Sequence, residues 1–129
     1  PLASWLFDQV GTADNVRETL RSIYTHNKAA VDDELVESTL AAKREAGALG
    51  AFVGILTGEP GPSPDSLMPR VKCPVQLVWG DEDSFTPLEG AYGDFYRGLA
   101  RDREDVSLVM VEAGHVPHDD NPAAVHAAV

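Results

Sequence analysis

The chain is poor in cysteine, in basic residues and in long apolar runs. Cys73 is its only cysteine, so the sequence excludes an internal disulfide and a paired-thiol redox motif. That usage fits a reducing compartment. Only 10 lysines and arginines oppose 21 aspartates and glutamates, which gives a formal net charge of -11. Because such a surface repels phosphate backbones and anionic lipid heads, we expect no nucleic-acid partner and no peripheral membrane binding.

No run of residues approaches the roughly 20 apolar residues that a membrane span needs, so we expect no membrane span. We recognise no signal or transit peptide, no internal repeat and no low-complexity tract. By its length the chain corresponds to one domain. The secondary-structure signals within it fall into two parts, which we predict to be residues 1–66 and residues 67–129.

The clearest signal in the second part is the stretch CPVQLVWGDEDSFTP, residues 73–87. Its apolar run from Val75 to Trp79 contains β-branched and aromatic residues and is bounded by proline and glycine, which predicts a buried strand. Three acids follow at positions 81–83, and Thr86 with the proline after it predicts the start of a helix. Carboxylates at the carboxyl end of a strand lie where open α/β sheets place their chemistry.

A second strand is predicted from Val106 to Val111, and the sequence Glu-Ala-Gly-His follows it directly. Apolar residues at helical spacing between the two strands predict a crossover helix. Strand, helix and strand in this order form a parallel βαβ unit with a right-handed crossover. The two strand ends then bring together Asp83 and His115, which are two of the three residue types of a catalytic triad.

Helices are predicted before and after this unit. We interpret residues 1–14, which show no clear period, as an irregular entry segment, and the Pro/Gly-rich residues 59–66 as a loop. The first predicted helix begins at the N-cap Asn15, with Glu18 closing a capping box. A second is predicted from Asp32 or Asp33 to about Gly47, and a third from Ala48 to about Gly58. The last begins at Pro122, with Asn121 as its N-cap. The sequence therefore predicts the α/β class, with a helical segment followed by a βαβα unit.

The motifs WGDED and AGHVPHDDNP resemble the C-terminal half of the α/β-hydrolase fold, and the plant, algal and cyanobacterial pheophytinase-like hydrolases are the most similar group. In that family the acid lies in a G-x-x-D turn after the penultimate strand, which matches Gly80 to Asp83, and the base lies in a G-H pair after the last strand, which matches Gly114 and His115. The resemblance implies Asp83 and His115 as catalytic residues and the leading helices as a lid. It also implies a small ester-like substrate, no cofactor, no metal and a location in a plastid.

The nucleophile elbow of the family, G-x-S-x-G, comes earlier in the chain, in the order Ser, Asp, His. The nearest string here, residues 61–65 (GPSPD), lacks the second glycine, and its two prolines are incompatible with a tight strand-to-helix turn. We therefore expect the N-terminal half of the family's domain, with the elbow and the oxyanion hole, to be missing, and this chain to be an inactive C-terminal portion of a serine-type hydrolase. The alternatives are a non-catalytic hydrolase-like subunit held in a larger assembly, and a relative with other chemistry, such as an epoxide hydrolase with aspartate at the elbow.

Two other acids compete with Asp83 for the role of the catalytic acid. The spacing from Gly80 favours Asp83, and Asp81 and Glu82 are interpreted as solvated turn residues. His118 beside two aspartates superficially suggests a metal site, but metal sites usually have three or more ligands on fixed elements, so we interpret it as structural or as part of a pocket rim.

The remaining candidate side chains are given structural interpretations. We expect His26 and His126 to be exposed and Cys73 to be a buried structural thiol. Three aromatic residues are expected either to line an apolar pocket or to pack in the core: Trp5, Phe7 and Phe85.

Two geometric expectations follow from this interpretation. The imidazole of His115 is expected within about 2.6–3.2 Å of the Asp83 carboxylate. The strand from Val75 to Trp79 is expected to have an unpaired edge, and because proteins normally cover such edges, either the missing N-terminal half or a protein partner is expected to pack there.

Overall fold

The computed structural model describes residues 2–129 and shows a mixed α/β fold that divides into two compact units. The first unit contains the described residues up to Arg21 together with Ala29–Gly61, and the second contains Ser22–Lys28 together with Pro62–Val129. These units differ from the predicted ranges 1–66 and 67–129 in two respects. The main division falls at residue 61, and the short segment Ser22–Lys28 belongs to the second unit.

The first unit is helical. Its helices pack through apolar side chains, with the ring centroids of Phe7 and Phe52 5.1 Å apart and with Val31 and Val36 buried. Lys43 adds a polar contact between helices, because its Nζ donates a hydrogen bond to the carbonyl of Gly11 at 3.1 Å. The elements are α1 (Leu2–Val10), α2 (Ala13–Ile23), a 3-10 turn (Lys28–Ala30), α3 (Asp33–Lys43) and α4 (Ala48–Thr57); the last two residues of α2 and the first of the 3-10 turn belong to the second unit.

The predicted irregular entry segment is wrong, because it forms α1 and the start of α2. Apolar residues lie around most of α1, including Leu2, Trp5 and Val10, which are exposed. This helix has only nine residues, with polar side chains at Ser4, Asp8 and Gln9, so it is too short for a helical period to repeat in the sequence.

The predicted N-cap Asn15 is also wrong. The helix begins earlier, since the hydroxyl oxygen of Thr12 accepts the backbone N–H of Asn15 at 3.3 Å and the Thr12 carbonyl accepts that of Val16 at 2.9 Å. The side chain of Asn15 donates instead to the carbonyl of Gln9 at 2.6 Å. A threonine followed three residues later by asparagine gives a weaker capping signal than the Asn-x-x-Glu pattern beside it.

The predicted start of α3 is confirmed, since the side chain of the N-cap Asp32 accepts the N–H of Leu35 at 2.9 Å. Its predicted end at Gly47 is wrong. The helix ends at Lys43, and Gly47 with a φ of 92° belongs to the connection into α4. The left-handed conformation that glycine favours is used here before a helix rather than after one.

The second unit contains the two strands and the crossover helix between them. The elements are α5 (Pro64–Leu67), a 3-10 turn (Met68–Arg70), β1 (Val75–Gly80), α6 (Ala91–Asp102), β2 (Val106–Val111), α7 (Pro117–Asp120) and α8 (Pro122–Ala128). The strands pair in parallel with Val75 opposite Val106 and Gly80 opposite Val111. The predicted βαβ order, both strand positions and the cap of α8 by Asn121 are confirmed.

Three local predictions in this unit are corrected. The predicted loop 59–66 contains the first part of α5, which Pro64 begins. The crossover helix begins at Ala91 rather than at Thr86, because the Asp83 carboxylate accepts the backbone N–H groups of residues 85 and 86 and holds a non-helical turn there. Cys73 is exposed rather than buried, since it precedes β1 and does not belong to the strand.

The sheet contains two strands within residues 2–129, so the far edge of β1 has no paired strand in the part of the chain that is described. The unpaired edge expected on the strand from Val75 to Trp79 is therefore present within the described residues. None of the helices in residues 2–129 is long and apolar enough to cross a membrane.

Gly80 allows the two strand ends to approach closely. A Cβ at this position would lie 2.1 Å from the Gly114 carbonyl oxygen and 2.4 Å from that of Ala113. We therefore expect Gly80→Ala to lower the free energy of unfolding by about 1–3 kcal/mol, measured by urea unfolding.

The matched control is Gly98→Ala in α6, where the nearest atom to a new Cβ is the end of the Arg101 side chain at 3.8 Å. This change is expected to leave stability unchanged or to raise it by up to about 1 kcal/mol, because alanine is favoured over glycine in a helix. Equal effects of the two substitutions would contradict the steric argument at Gly80.

Candidate functional site

The candidate site lies where the carboxyl ends of β1 and β2 meet. Backbone hydrogen bonds continue the pairing beyond the strands, from Asp81 N–H to the Val111 carbonyl and from Glu82 N–H to the Ala113 carbonyl, both at 3.0 Å. The two loops therefore leave the sheet side by side. This brings Asp83 beside His115, although 32 residues separate them in the chain.

The predicted contact between Asp83 and His115 is present. The Nδ1 atom of His115 lies 3.1 Å from Oδ1 and 3.0 Å from Oδ2 of Asp83, which is within the expected hydrogen-bond range. The hydroxyl of Thr86 lies 3.4 Å from the same Nδ1. Within residues 2–129 the ring makes these hydrogen bonds through Nδ1 alone, and its side chain is 36% exposed.

Asp83 is 8% exposed and is held in place by its own turn. Its Oδ1 accepts the backbone N–H groups of Phe85 and Thr86, both at 2.9 Å, and its Oδ2 accepts the hydroxyl of Thr86 at 2.7 Å. Burial by itself raises the pKa of this carboxyl, but the hydrogen bonds from Thr86, His115 and Phe85 outweigh it and hold the pKa below its ordinary value.

The ionised state of Asp83 determines how His115 is protonated. A carboxylate only accepts hydrogen bonds, so the Nδ1 atom that it contacts must carry the proton. In the neutral ring the lone pair then lies on Nε2, which has no hydrogen-bond partner in the described residues. This arrangement can accept a proton at Nε2 and stabilise the resulting imidazolium through Asp83.

The other acids and histidines considered as catalytic residues do not take part in the Asp83–His115 contact. Asp81 and Glu82 are exposed as expected, and Asp81 caps the second strand end by accepting the Ala113 N–H at 3.3 Å. The other three histidines are exposed: His26, His118 and His126. Residues 2–129 contain no cluster of three or more side chains arranged to hold a metal ion.

A small open cavity of about 190 Å³ borders the pair. Its lining residues are Val78, Trp79, Gly80, Asp83, Thr86, His115 and Pro117. Phe85 lies beside it, with its ring centroid 5.4 Å from that of the imidazole and 58% of the residue exposed. The volume is below the roughly 300–1,000 Å³ of most ligand pockets, so these walls alone would enclose only part of an ester substrate.

The two other aromatic candidates belong to the helical unit. Phe7 packs on Phe52, and Trp5 is 58% exposed on α1. Of the three aromatic residues singled out in the sequence, Phe85 belongs to the same unit as the Asp83–His115 pair and lies beside it.

Sequence reasoning missed two residues that support the site, Thr86 and Asp120. Thr86 had a readable signal, because an aspartate followed within three residues by threonine is a common turn pattern. Asp120 had none: it is 1% exposed, and its partners are mainly backbone N–H groups, which no side-chain motif reveals. The hydrogen bonds from these groups, described below, overcome the effect of burial and lower its pKa.

Comparison of the chain with protein-family models, with curated proteins and with solved structures finds no match.

The hydroxyl of Thr86 can be tested as a support for the ionised Asp83. We expect Thr86→Val to raise the pKa of Asp83, since the lost hydrogen bond favours the charged carboxylate. Hydrogen bonds to charged groups contribute about 1.5–3 kcal/mol, so stability near pH 7 should fall by up to that amount. Carboxyl ¹³C NMR titration and urea unfolding at several pH values measure the two effects.

The sign of the pH dependence follows from the lowered pKa. Stabilisation by Asp83 is complete above the unfolded pKa of about 3.9 and is lost as the pH falls through the lower folded value. The difference between the wild type and Thr86→Val should therefore shrink in strong acid. Thr86→Ser keeps the hydroxyl and should behave as the wild type; a Thr86→Val variant with an unchanged Asp83 pKa would contradict this account.

Proposed function

We propose that Asp83 and His115 are the acid and the base of a serine-type α/β-hydrolase that cleaves an ester or a related acyl bond. Residues 67–129 would then be the C-terminal part of its core, and the leading helices its lid. The observation that carries the proposal is the contact of His115 Nδ1 with both oxygens of an ionised Asp83, at 3.1 and 3.0 Å, which leaves Nε2 free. The G-x-x-D and G-H motifs at the two strand ends support the same interpretation.

In this function Nε2 of His115 takes the proton of a nucleophilic hydroxyl as its oxygen attacks the carbonyl carbon of the substrate. Asp83 keeps the ring oriented and stabilises the imidazolium. The imidazolium then gives the proton to the departing alcohol oxygen as the ester bond breaks, leaving an acyl group on the nucleophile. Water, activated by the same nitrogen, attacks this acyl group and releases the acid and the free hydroxyl.

The nucleophile itself is proposed to come from outside this sequence. No G-x-S-x-G elbow is present in it, and the hydrogen bonds of the His115 ring with Asp83 and Thr86 all involve Nδ1 rather than Nε2. Members of a catalytic triad act as a unit, so a base and an acid without a nucleophile contribute little.

The exposed ring of Phe85 supports a preference for apolar substrates. It lies beside the imidazole, with the two ring centroids 5.4 Å apart, and it is exposed to solvent, so a substrate whose carbonyl reaches Nε2 would contact this ring. An aromatic or aliphatic group at that point would be buried against Phe85, whereas a charged group would lose its hydration there.

A second candidate function is a non-catalytic hydrolase-like subunit in a larger assembly. The unpaired edge of β1 and the exposed apolar residues of the helical unit, such as Trp5 and Ile55, favour a packing partner. In that case the Asp83–His115 pair would be a retained structural contact.

The first functional prediction concerns the 129-residue chain alone. We expect the purified chain to hydrolyse aryl esters no faster than its His115→Ala variant, because the members of a triad act as a unit and lose most of their effect when the nucleophile is missing. Release of p-nitrophenol from p-nitrophenyl acetate measures the rate. Turnover that disappears in Ser84→Ala would mean that the chain supplies its own nucleophile.

The second functional prediction concerns the protein that contains these residues together with its other segments or partners. We expect a fluorophosphonate probe to label a serine outside residues 1–129, as located by peptide mass spectrometry. His115→Gln should abolish the labelling, and Asp83→Asn should reduce turnover by roughly 10⁴-fold, as loss of the orienting aspartate does in other triads.

The matched control is His126→Gln, which changes an exposed histidine of α8 and should leave labelling unchanged. The absence of any labelled serine would favour the non-catalytic subunit. A labelled serine that is insensitive to His115→Gln would contradict the assignment of His115 as the base.

A further inference from the structure

We infer that Asp120 is a positioning residue for His115: its buried carboxylate fastens the His115 loop to the segment Thr25–Asn27 and so holds the imidazole against Asp83. The inference rests on the Asp83–His115 pair of the proposed function. Asp120 itself is too enclosed to touch a substrate, since it is 1% exposed.

One set of hydrogen bonds made by Asp120 lies within the loop that carries His115. The Oδ2 atom of Asp120 accepts the backbone N–H of Gly114 at 2.7 Å, and the backbone N–H of Asp120 donates to the Val116 carbonyl at 2.9 Å. Residues 114–120 thus form a short closed loop with His115 inside it. The side chain of Asp120 fixes the residue directly before the base.

A second set of hydrogen bonds joins this loop to residues 25–27, which are distant in the sequence. The same carboxylate accepts the backbone N–H groups of Thr25 at 3.0 Å, His26 at 3.1 Å and Asn27 at 2.7 Å. The backbone N–H of His115 donates to the Ile23 carbonyl at 3.0 Å. The main chain of His115 and the side chain of Asp120 are therefore both bound to residues 23–27.

The absence of a side chain at Gly114 lets the two segments meet. A Cβ on Gly114 would lie 2.0 Å from the Ile23 carbonyl oxygen, so the segments touch through their main chains. Four N–H groups converge on Asp120, and an ionised carboxylate can accept from all of them. An asparagine would turn its own NH₂ group towards some of these donors.

The test is Asp120→Asn, followed at the His115 ring in ¹⁵N-histidine-labelled protein. The ratio of the Nδ1–H to the Nε2–H tautomer, read from imidazole ¹⁵N shifts, reports the contact with Asp83. We expect Asp120→Asn to lower this ratio roughly tenfold, as expected for loss of a hydrogen bond to a charged group, towards the value in Asp83→Asn. A merely structural residue would leave the tautomer ratio unchanged in the folded protein.

Asp119→Asn is the matched control. Asp119 lies in the same short helix and accepts the hydroxyl of Tyr24, but it makes no contact with the Gly114–His115 backbone in the described hydrogen bonds. Its substitution should leave the tautomer ratio at the wild-type value. A folded Asp120→Asn protein with the wild-type ratio, or an equal change in both variants, would overturn the inference.

A measurement on the unmodified protein covers the case in which Asp120→Asn does not fold. The amide protons of His26, Asn27 and Gly114 should exchange with solvent at similar, slow rates, because the Asp120 carboxylate accepts all three. Rapid exchange at Asn27 and Gly114, with the Nδ1–H tautomer still dominant, would overturn the inference as well. Neither measurement needs turnover, so the failure of the proposed hydrolase activity would remain distinguishable from the failure of this inference.

Discussion

The parallel pairing of two six-residue strands is the interaction on which the rest of the site depends. Because Gly80 lies opposite Val111, the chain leaves both strands at the same level, and two further backbone hydrogen bonds keep the loops together. A shift of one residue in this register would move Asp83 away from His115 and turn every side chain of the shifted strand to the other face. Gly80 is part of the same constraint, since the carbonyl groups of Ala113 and Gly114 occupy the space of a side chain.

Two buried carboxylates stabilise the loops at this sheet edge in different ways. Asp83 is stabilised by its own turn and by the imidazole of His115, so its charge is available to the base. Asp120 contacts main-chain donors and has no cationic partner among the described ion pairs. In both cases hydrogen bonds keep a buried acid ionised, and the surrounding backbone becomes rigid because it must supply those bonds.

The parts of the fold that the sequence predicted are those with strong local signals. β1 and β2 have concentrated β-branched runs, α3 has an aspartate cap, and the contact between Asp83 and His115 follows from the order of the elements. The predictions that were wrong have physical reasons. α1 has nine residues, which is too short for a helical period to repeat. The Asp83 carboxylate holds residues 85 and 86 in a turn, and the crossover helix begins only at Ala91. The role of Asp120 was unpredictable because its donors are peptide groups, and every non-proline residue has one.

The contact between Asp120 and residues 25–27 has a consequence for how this segment tolerates substitution over evolutionary time. The carboxylate mainly accepts backbone N–H groups, with the Thr25 hydroxyl at 3.5 Å as a further donor, so the side chains at positions 26 and 27 are nearly free to vary, and His26 is exposed to solvent. Proline is the exception at all three positions, because it has no N–H to donate. Gly114 is constrained in the opposite manner, since any side chain there would collide with Ile23. The segment can therefore diversify its surface chemistry while the geometry beneath it remains unchanged.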